Sequence, residues 1–231
     1  MVFHSPEDRY RRVLLEEVSP RTDWLDLGCG WQLLRDWLPN GKADQMSLSE
    51  RARRLVGIDG VADDVARNPY VRNKVVGSLY RLPFAAGSFS LVTAQMVIEH
   101  IENPLNLLGE VSRVLQPGGK FIFLTPNYLN YQVFAASLIP DKLKKRIVRY
   151  LEFREESDVF KAYYRMNSKS RIRRVADRAG FSLGRIEMLA SFEFRRIPPL
   201  HWIEKGINVF LKREALSKFR ADILAILIKP R

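Results

Sequence analysis

Cysteine is almost absent from this sequence of 231 residues, which holds a single one, Cys29. One cysteine excludes an internal disulfide and suits a reducing compartment, so we expect a cytoplasmic protein. Long apolar runs are also missing, because none approaches the ~20 residues needed to span a bilayer. Residues 1–18 carry charges throughout and therefore do not resemble a secretory signal.

Motifs for metal or nucleic-acid binding are lacking as well. We find no zinc-ligand spacing, no basic zipper and no RNA-binding aromatic signature. The net charge is nevertheless +12, a basic excess that suits nucleic acid, an anionic membrane surface or an acidic substrate. The positive residues are spread along the chain apart from two runs, at 142–149 and 169–174. Solvated helix faces explain those runs most simply.

Strand and helix signals alternate through the first half of the chain, which predicts a parallel sheet with right-handed crossovers. Pro117-Gly118-Gly119 is expected to end the last of these helices and turn the chain. Ligands bind such sheets beyond the carboxyl ends of the strands. The predicted strands are 24–27, 55–58, 74–76, 89–94 and 121–124, and the predicted helices are 31–38, 61–67 and 103–115.

The second half is less regular. A helix begins near Ser168 and stops at Gly180, and strands are predicted at 181–189 and 221–228. A second, amphipathic helix is predicted at about 202–217. We expect a single domain over 1–231. Its cofactor-binding half is 22–125, and residues 126–166 and 190–218 are expected to be lid or acceptor-binding insertions.

The stretch WLDLGCGWQ at 24–32 ends an apolar strand on two glycines. Gly28 and Gly30 let the backbone take a positive φ and let a ligand approach without a Cβ clash. A dinucleotide-binding fingerprint would need a third glycine at position 33, where the chain has Leu33. The sequence therefore gives little support to a dehydrogenase.

LDLGCG instead resembles the first motif of class I S-adenosylmethionine (SAM)-dependent methyltransferases. VGID at 56–59, the segment LYRLPFAAGSFSLVTAQMVIEHI at 79–101 and RVLQPGGKFIFLTPN at 113–127 resemble later motifs in the same order. The set is similar to the small-molecule branch that includes quinone-biosynthesis methyltransferases, over about residues 22–130. The resemblance implies a Rossmann-like, doubly wound α/β fold, with a mostly parallel seven-stranded sheet, helical lid insertions and SAM as cofactor.

The resemblance also implies a cofactor site at the strand ends. Asp59 would accept hydrogen bonds from both ribose hydroxyls, and Asp26 would hold the glycine turn or the ammonium of SAM. Gln32 and Ser78 depart from the family pattern, which leaves open a protein that binds SAM without turnover. The expected cofactor-binding residues are Asp26, Gly28, Cys29, Gly30, Asp59, Gly60, Ser78, Leu79, Gln95 and Met96.

His100 is the candidate general base, since a histidine side chain suits proton transfer at neutral pH. The alternative is that His100 caps or packs at the start of a helix, and Glu99 is expected to make a structural ion pair. No metal is expected, because the residues after strands four and five do not form an acidic cluster. Further candidates for acceptor contacts are Asn127, Tyr128, Tyr163, Tyr164 and His201.

These residues favour a SAM-dependent methyltransferase that acts on a small-molecule or lipid- or glycan-linked acceptor, with oxygen as the expected methylated atom. The alternatives are a nucleic-acid methyltransferase, favoured by charge alone, and a non-catalytic SAM-binding protein. We expect a small-molecule partner and no nucleic acid. The basic and amphipathic segments would allow peripheral membrane contact.

Overall fold

A computed structural model describes residues 5–130, 161–190, 198–211 and 213–231 of the chain. Within these ranges, strands and helices alternate in the first half as the sequence predicts. Two short 3₁₀ helices, Ile98–His100 and Glu214–Phe219, complete the described elements. The strands are β1 (Asp23–Leu27), β2 (Arg54–Asp59), β3 (Asn73–Val76), β4 (Phe89–Gln95), β5 (Leu115–Pro126), β6 (Ser182–Leu189) and β7 (Asp222–Ile228). The helices are α1 (Pro6–Glu17), α2 (Gly41–Arg51), α3 (Ala62–Arg67), α4 (Pro104–Val114), α5 (Lys169–Arg178) and α6 (Pro198–Phe210).

The seven strands form one sheet in the order β3-β2-β1-β4-β5-β7-β6. The first five strands run parallel, whereas β7 lies antiparallel between β5 and β6. Leu27 of β1 pairs with Ile58 of β2 and with Ala94 of β4, so these three strands end side by side. The predicted fold class, a mostly parallel doubly wound sheet, is confirmed.

Both faces of the sheet are buried, which explains why its central strands read as continuous apolar runs. Phe121 and Phe123 of β5 pack into one cluster with α4 and α5. Ile122 and Leu124 face the opposite cluster, which also contains Trp24 and residues of α1. The strand ends that carry the candidate site therefore rest on a core packed from two sides.

The prediction of a helix at 31–38 is wrong. That stretch forms turns, and the helix between β1 and β2 begins at Gly41 instead. Leu33, Leu34 and Leu38 are buried without helical structure. The buried amide of Gln45 on α2 holds the turns, since it accepts from the Leu34 N–H and donates to Asp36.

The expected turn at Pro117-Gly118-Gly119 is also wrong. Residue Leu115 already begins β5, which continues through the glycines to Pro126. The pairing with β4 shifts between Phe89 and Leu91, so the extra residues form an irregularity inside the strand. Glycine fits such a bulge, because a Cβ at Gly119 would lie 2.8 Å from the Gln116 carbonyl oxygen.

The predicted helix starts are confirmed where a side chain caps them. Asn103 accepts from the Asn106 N–H at 3.2 Å, and Ser168 accepts from the Arg171 N–H at 3.4 Å. Helix α6 begins earlier than predicted, at Pro198, because proline is tolerated in the first turn of a helix. It ends at Phe210, before the predicted end. Most of the expected insertion 126–166 lies outside the described residues, as does the beginning of 190–218.

Candidate cofactor-binding and active site

The two glycines after β1 have different surroundings. Gly28 has φ +64° and donates to the Ile58 carbonyl at 2.8 Å, and a Cβ there would lie 2.4 Å from Cγ2 of Val97. Gly30 has φ +44°, and a Cβ there would meet nothing within 4 Å. The first glycine therefore permits close approach of two loops of the protein, and the second leaves an open side where a ligand can lie.

Asp59, at the end of β2, binds the glycine loop from the neighbouring strand. Its Oδ2 accepts from the Gly30 N–H at 3.0 Å, and its Oδ1 accepts from the Val61 N–H at 2.9 Å. An ionised carboxylate has about four lone-pair sites, so each oxygen can accept one more hydrogen bond. Gly60 is exposed beside it, with open space where a Cβ would point. This geometry suits a ligand with paired hydroxyls.

Asn68 is a residue of this site that the sequence prediction missed. Its side-chain amide is fully buried and donates to the carbonyl oxygens of Cys29 and Gly30, at 3.0 and 3.1 Å. Its Oδ1 accepts from the N–H groups of Tyr70 and Val71. The only sequence signal was Asn-Pro, which indicates the end of a helix and not a partner 38 residues away. Asn68 fixes the backbone of the glycine loop.

Asp26 lies buried within β1 and belongs to a polar chain that crosses to β4. Its Oδ1 accepts from the Thr93 hydroxyl at 2.5 Å, and the Thr93 oxygen accepts from the indole N–H of Trp24 at 2.6 Å. Burial raises the pKa of Asp26 to about 7; the Thr93 hydrogen bond opposes this rise, and the charge of Asp59 adds to it. Asp26 is thus poised to change charge when a cation approaches.

Cys29 has the surroundings of a packing residue. Its thiol is buried against β2, where a Cβ on Gly57 would lie 2.7 Å from Sγ. Burial, with the nearby charges of Asp26 and Asp59, raises the pKa of the Cys29 thiol to about 12. A thiol with this pKa is not a nucleophile near neutral pH, which leaves the backbone of Cys29 as its part in the site.

Gln95 ends β4, on the other side of β1, and Met96 follows it. The Gln95 Nε2 atom is buried and has no hydrogen-bond partner among the described residues. Met96 takes a left-handed conformation with φ +54°, and its N–H donates to the Leu124 carbonyl at 2.8 Å. A buried donor without a partner is costly unless a ligand supplies an acceptor. Gln95 is therefore well placed to bind one.

Ser78 and Leu79, which follow β3, show opposite environments. Ser78 is exposed, and its Oγ accepts from the Tyr80 N–H at 3.2 Å, so the hydroxyl supports its own turn. Leu79 packs against the core. The family pattern has a carboxylate at this strand end. This chain has none there and presents the backbone between Ser78 and Leu79 instead.

Glu99, in the 3₁₀ helix after β4, is buried in a hydrogen-bond network. The network joins this helix and β5 to residues 163–167. Oε2 of Glu99 accepts from the Thr125 hydroxyl at 2.9 Å, and Thr125 in turn accepts from the Asn167 amide at 2.7 Å. The Glu99 carbonyl also accepts from the N–H groups of Tyr163 and Tyr164. This network holds residues 161–167 against the end of the sheet.

His100 is half-buried next to this network. Its Nδ1 lies 3.1 Å from the Lys161 carbonyl oxygen, and its Nε2 lies 3.8 Å from Oε1 of Glu99. The tautomer protonated at Nδ1 donates to that carbonyl and places the lone pair on Nε2. A proton gained at Nε2 would then lie next to the carboxylate of Glu99, the arrangement expected of a supported base.

The candidate acceptor residues are not equivalent in the structure. Asn127 is fully buried, and both hydrogens of its amide bind carbonyls that precede β7, those of Lys218 and Arg220. Asn127 therefore has a structural role. Its side-chain amide has no hydrogen left to donate to a methyl acceptor. The ring of Tyr128 is exposed, 6.1 Å from that of Tyr164.

Tyr163 and Tyr164 are half-buried, and Tyr164 has a left-handed backbone with φ +52°. Burial and the charge of Glu99 raise the pKa of Tyr164, so its hydroxyl stays protonated and can donate. His201 lies in α6, and its side chain is outside the described part of the structure. Tyr164 therefore lies between the Glu99 network and the exposed ring of Tyr128.

A doubly wound sheet, a tight glycine loop after β1 and an acid at the end of β2 are the features expected of a class I SAM-dependent methyltransferase site. Comparison with known proteins agrees with this expectation. Residues 25–123 match the family model described as a methyltransferase domain. Those residues of the chain are therefore similar to a methyltransferase domain.

Curated relatives match about half of the chain. A probable SAM-dependent methyltransferase of Mycolicibacterium smegmatis is 34% identical over 53% of this chain and 46% of its own length. A ubiquinone biosynthesis O-methyltransferase of Ralstonia nicotianae is 27% identical over 48% of this chain and 51% of its own. The chain thus spans about half the length of these relatives.

Solved structures share the fold over nearly the whole chain. A putative methyltransferase bound to the Trm112 methyltransferase activator of Haloferax volcanii has a TM-score of 0.63 at 18% identity, covering 97% of this chain and 92% of its own. The comparisons confirm the predicted resemblance and the fold class. In the described ranges, no helix is long and apolar enough to cross a bilayer, and no cluster of three or more potential metal ligands is found.

Proposed function

We propose that the protein transfers the methyl group of SAM to a small-molecule or lipid- or glycan-linked acceptor, at an oxygen atom. The observation that carries this proposal is the pairing of Gly30 and Asp59. The open face of Gly30 adjoins a carboxylate that already holds the loop and keeps lone pairs for two further donors. The unpartnered Nε2 of Gln95 supports a ligand on the β4 side of the same loop.

The residues present fit SAM. Asp59 would accept from the ribose hydroxyls, the open side of Gly30 would admit the methionine part, and Asp26 lies buried nearby with a carboxyl that a cation would ionise. The Leu79 backbone and the exposed Gly60 would border the nucleoside. Ser78 is committed to its own turn, so the nucleobase would be read by backbone groups in place of a carboxylate.

When bound, SAM supplies a methyl group on a positively charged sulfur, so the acceptor needs a nucleophilic oxygen aligned with the S–C bond. His100 would take the hydroxyl proton of the acceptor on Nε2, which would leave the acceptor oxygen free to accept the methyl group. Glu99 stabilises the resulting imidazolium from 3.8 Å, and the Lys161 carbonyl holds Nδ1. Tyr128 and Tyr164 would position an apolar or aromatic acceptor.

Oxygen methylation is supported by the candidate base, since proton removal makes a hydroxyl a far better nucleophile. The name of the Ralstonia relative, a ubiquinone biosynthesis O-methyltransferase, supports the same choice. Nitrogen or carbon acceptors remain outcomes of the experiment below. A protein that only binds SAM would keep the cofactor affinity and show no transfer.

The decisive experiment incubates the protein and methyl-labelled SAM with separate metabolite, lipid and nucleic-acid fractions, and identifies the species that gains the label by mass spectrometry. His100→Ala should lower the rate of transfer by roughly 10²-fold or more, the usual contribution of a general base. Its affinity for SAM, measured by titration calorimetry, should be unchanged. Label in nucleic acid alone, or no label in any fraction, would contradict the proposal.

Asp59→Ala tests the cofactor part separately. It should weaken SAM binding by ~10-fold or more, because a hydrogen bond to a charged group contributes ~1.5–3 kcal/mol. Asp63→Ala is the matched control, an exposed carboxylate on α3 that should leave the affinity for SAM unchanged. Equal affinities of the two variants would show that the ribose does not lie at Asp59.

A further inference from the structure

Helix α6 packs on the protein with one side and leaves large apolar side chains exposed on the other. The side chains of Asn208 and Leu211 are 1% and 5% exposed. On the opposite side, Trp202, Val209 and Phe210 are 67%, 52% and 56% exposed. These three recur two turns apart, so they share one face of the helix. A helix that only covered the core would show the reverse pattern.

Basic side chains flank this exposed face. The Lys205 ammonium lies over the Trp202 ring at 4.9 Å, and the Arg213 guanidinium lies over the Phe210 ring at 5.3 Å. A third pair, Lys218 over Phe219 at 5.1 Å, follows in the next element. Residues 201–220 contain five Lys or Arg against two Glu. The face therefore combines exposed aromatic rings with net positive charge.

The position of this face relates it to the candidate site. The segment after α6 leads into β7, whose first residue, Asp222, pairs with Pro126 at the end of β5. Asn127 ties the two together through the Lys218 and Arg220 carbonyls. Because β7 is antiparallel to β5, the chain that follows α6 joins the sheet where β5 ends. This is the edge of the sheet that carries the candidate site.

We propose that the face of α6 formed by Trp202, Val209 and Phe210 docks on an anionic membrane surface. Aromatic rings favour the headgroup level of a bilayer, and Lys and Arg beside them can contact lipid phosphates. A second copy of this chain is a poor occupant, because two positively charged faces would repel each other. The proposal concerns binding alone and does not depend on methyl transfer.

Vesicle flotation tests this proposal with the full chain. The protein should float with vesicles of phosphatidylcholine and phosphatidylglycerol, and much less with phosphatidylcholine alone, because the basic residues add electrostatic attraction. Trp202→Ser with Phe210→Ser should lower partitioning by about 10-fold or more, since two rings no longer enter the interface. Trp37→Ser with Met46→Ser is the matched control, since both residues are similarly exposed elsewhere and the change should have no effect.

Circular dichroism melts should show that all variants remain folded, because the replaced side chains are exposed. Lys205→Gln with Arg213→Gln should remove most of the preference for anionic vesicles. Absence of flotation, or equal flotation of the α6 variant and the control, overturns the proposal. So does a wild-type dimer in light scattering that becomes monomeric in the α6 variant and ignores vesicles, since a second copy would then cover the face. In each case the calorimetric titration of SAM still reports on the proposed function.

Discussion

At the scale of single residues, the two glycines after β1 have separate tasks that the sequence motif does not distinguish. Gly28 is required by the protein itself, because a Cβ there would collide with Val97. Gly30 is required only if something occupies its open side. The same substitution at the two positions should therefore have different effects on stability and on cofactor binding.

We predict that Gly28→Ala lowers the free energy of unfolding by ~2–4 kcal/mol, from an unfavourable positive φ and from overpacking. Gly30→Ala should cost only the ~1–2 kcal/mol of the positive φ and should weaken SAM binding by ~10-fold or more, as expected where a Cβ enters a ligand contact. Chemical denaturation measures the first effect and calorimetry the second.

Two variants control this experiment. Gly109→Ala, on the exposed side of α4 with open space around it, should be neutral or stabilising, because alanine favours a helix. Val97→Ala in the Gly28→Ala background should restore part of the lost stability by removing the colliding methyl groups. A Gly28→Ala protein as stable as the wild type would show that the two loops are not in contact.

Asp26 should make stability depend on pH. Its folded pKa, about 7, lies above the ordinary value, so its contribution to stability is complete below pH ~4 and is lost as the pH rises through 7. We predict that Asp26→Asn gains stability relative to the wild type by up to about 1.4 kcal/mol per pH unit between pH 4 and pH 7. Urea denaturation at several pH values measures this difference.

Above pH 7 the difference between Asp26→Asn and the wild type should stay constant, since Asp26 is then ionised in both the folded and the unfolded state. The amide oxygen of asparagine can still accept from the Thr93 hydroxyl, so the variant keeps the hydrogen bond. Saturating SAM should reduce the pH dependence if its ammonium lies beside Asp26. A difference that does not vary with pH would mean that Asp26 is hydrated or otherwise paired.

At the scale of elements, capping residues decide where the helices beside the site begin. Asn103 accepts from the Asn106 N–H and starts α4, which follows the 3₁₀ helix that contains His100. We predict that Asn103→Ala costs ~1 kcal/mol of stability through loss of this cap. For a chain of this size the melting temperature should fall by ~2–4 °C.

Asn103→Asp should keep the cap and retain wild-type stability, because aspartate is an equally good N-cap residue. Glu102→Ala is the neighbouring control, at an exposed position before the cap. A fall in melting temperature that is equal for the alanine and aspartate variants at position 103 would show that the side-chain oxygen is not what starts the helix.

The loop between β1 and α2 shows why elements without a strong apolar pattern are hard to predict. Helix α2 buries Gln45 and Leu48, with Gly41 at its start, so its sequence looks like a surface insertion. A Cβ on Gly41 would lie 2.6 Å from the Arg35 carbonyl oxygen. The helix is therefore fixed by a buried amide and a close backbone contact, neither of which has a periodic signature.

At the scale of the whole molecule, cofactor binding should stabilise the folded chain by mass action. SAM at 100 times its dissociation constant should add ~2.7 kcal/mol to the free energy of unfolding. We predict a rise in melting temperature of ~5–10 °C, measured by calorimetric or fluorescence melts. At the same SAM concentration, Asp59→Ala should show a much smaller rise and Asp63→Ala the full one. Equal rises in all proteins would indicate that SAM binds away from β2.

The sequence by itself determined the alternation of strands and helices, the capped starts of α4 and α5, and the positions of Gly28, Gly30 and Asp59 at strand ends. These are local properties, because apolar runs, capping residues and glycine turns act over a few neighbouring positions. The resemblance in motifs then indicated the cofactor.

Only the tertiary structure decided which partners those residues have. Asn68 donates to the glycine loop, and Glu99 is linked through Thr125 to Asn167. The side-chain amide of Asn127 donates to carbonyls near β7. The same holds for α6, whose periodicity predicts an amphipathic helix but not that Trp202, Val209 and Phe210 point away from the core. Each of these facts depends on contacts between residues far apart in the chain, and hydrogen bonding and burial between such residues leave no periodic signal in the sequence.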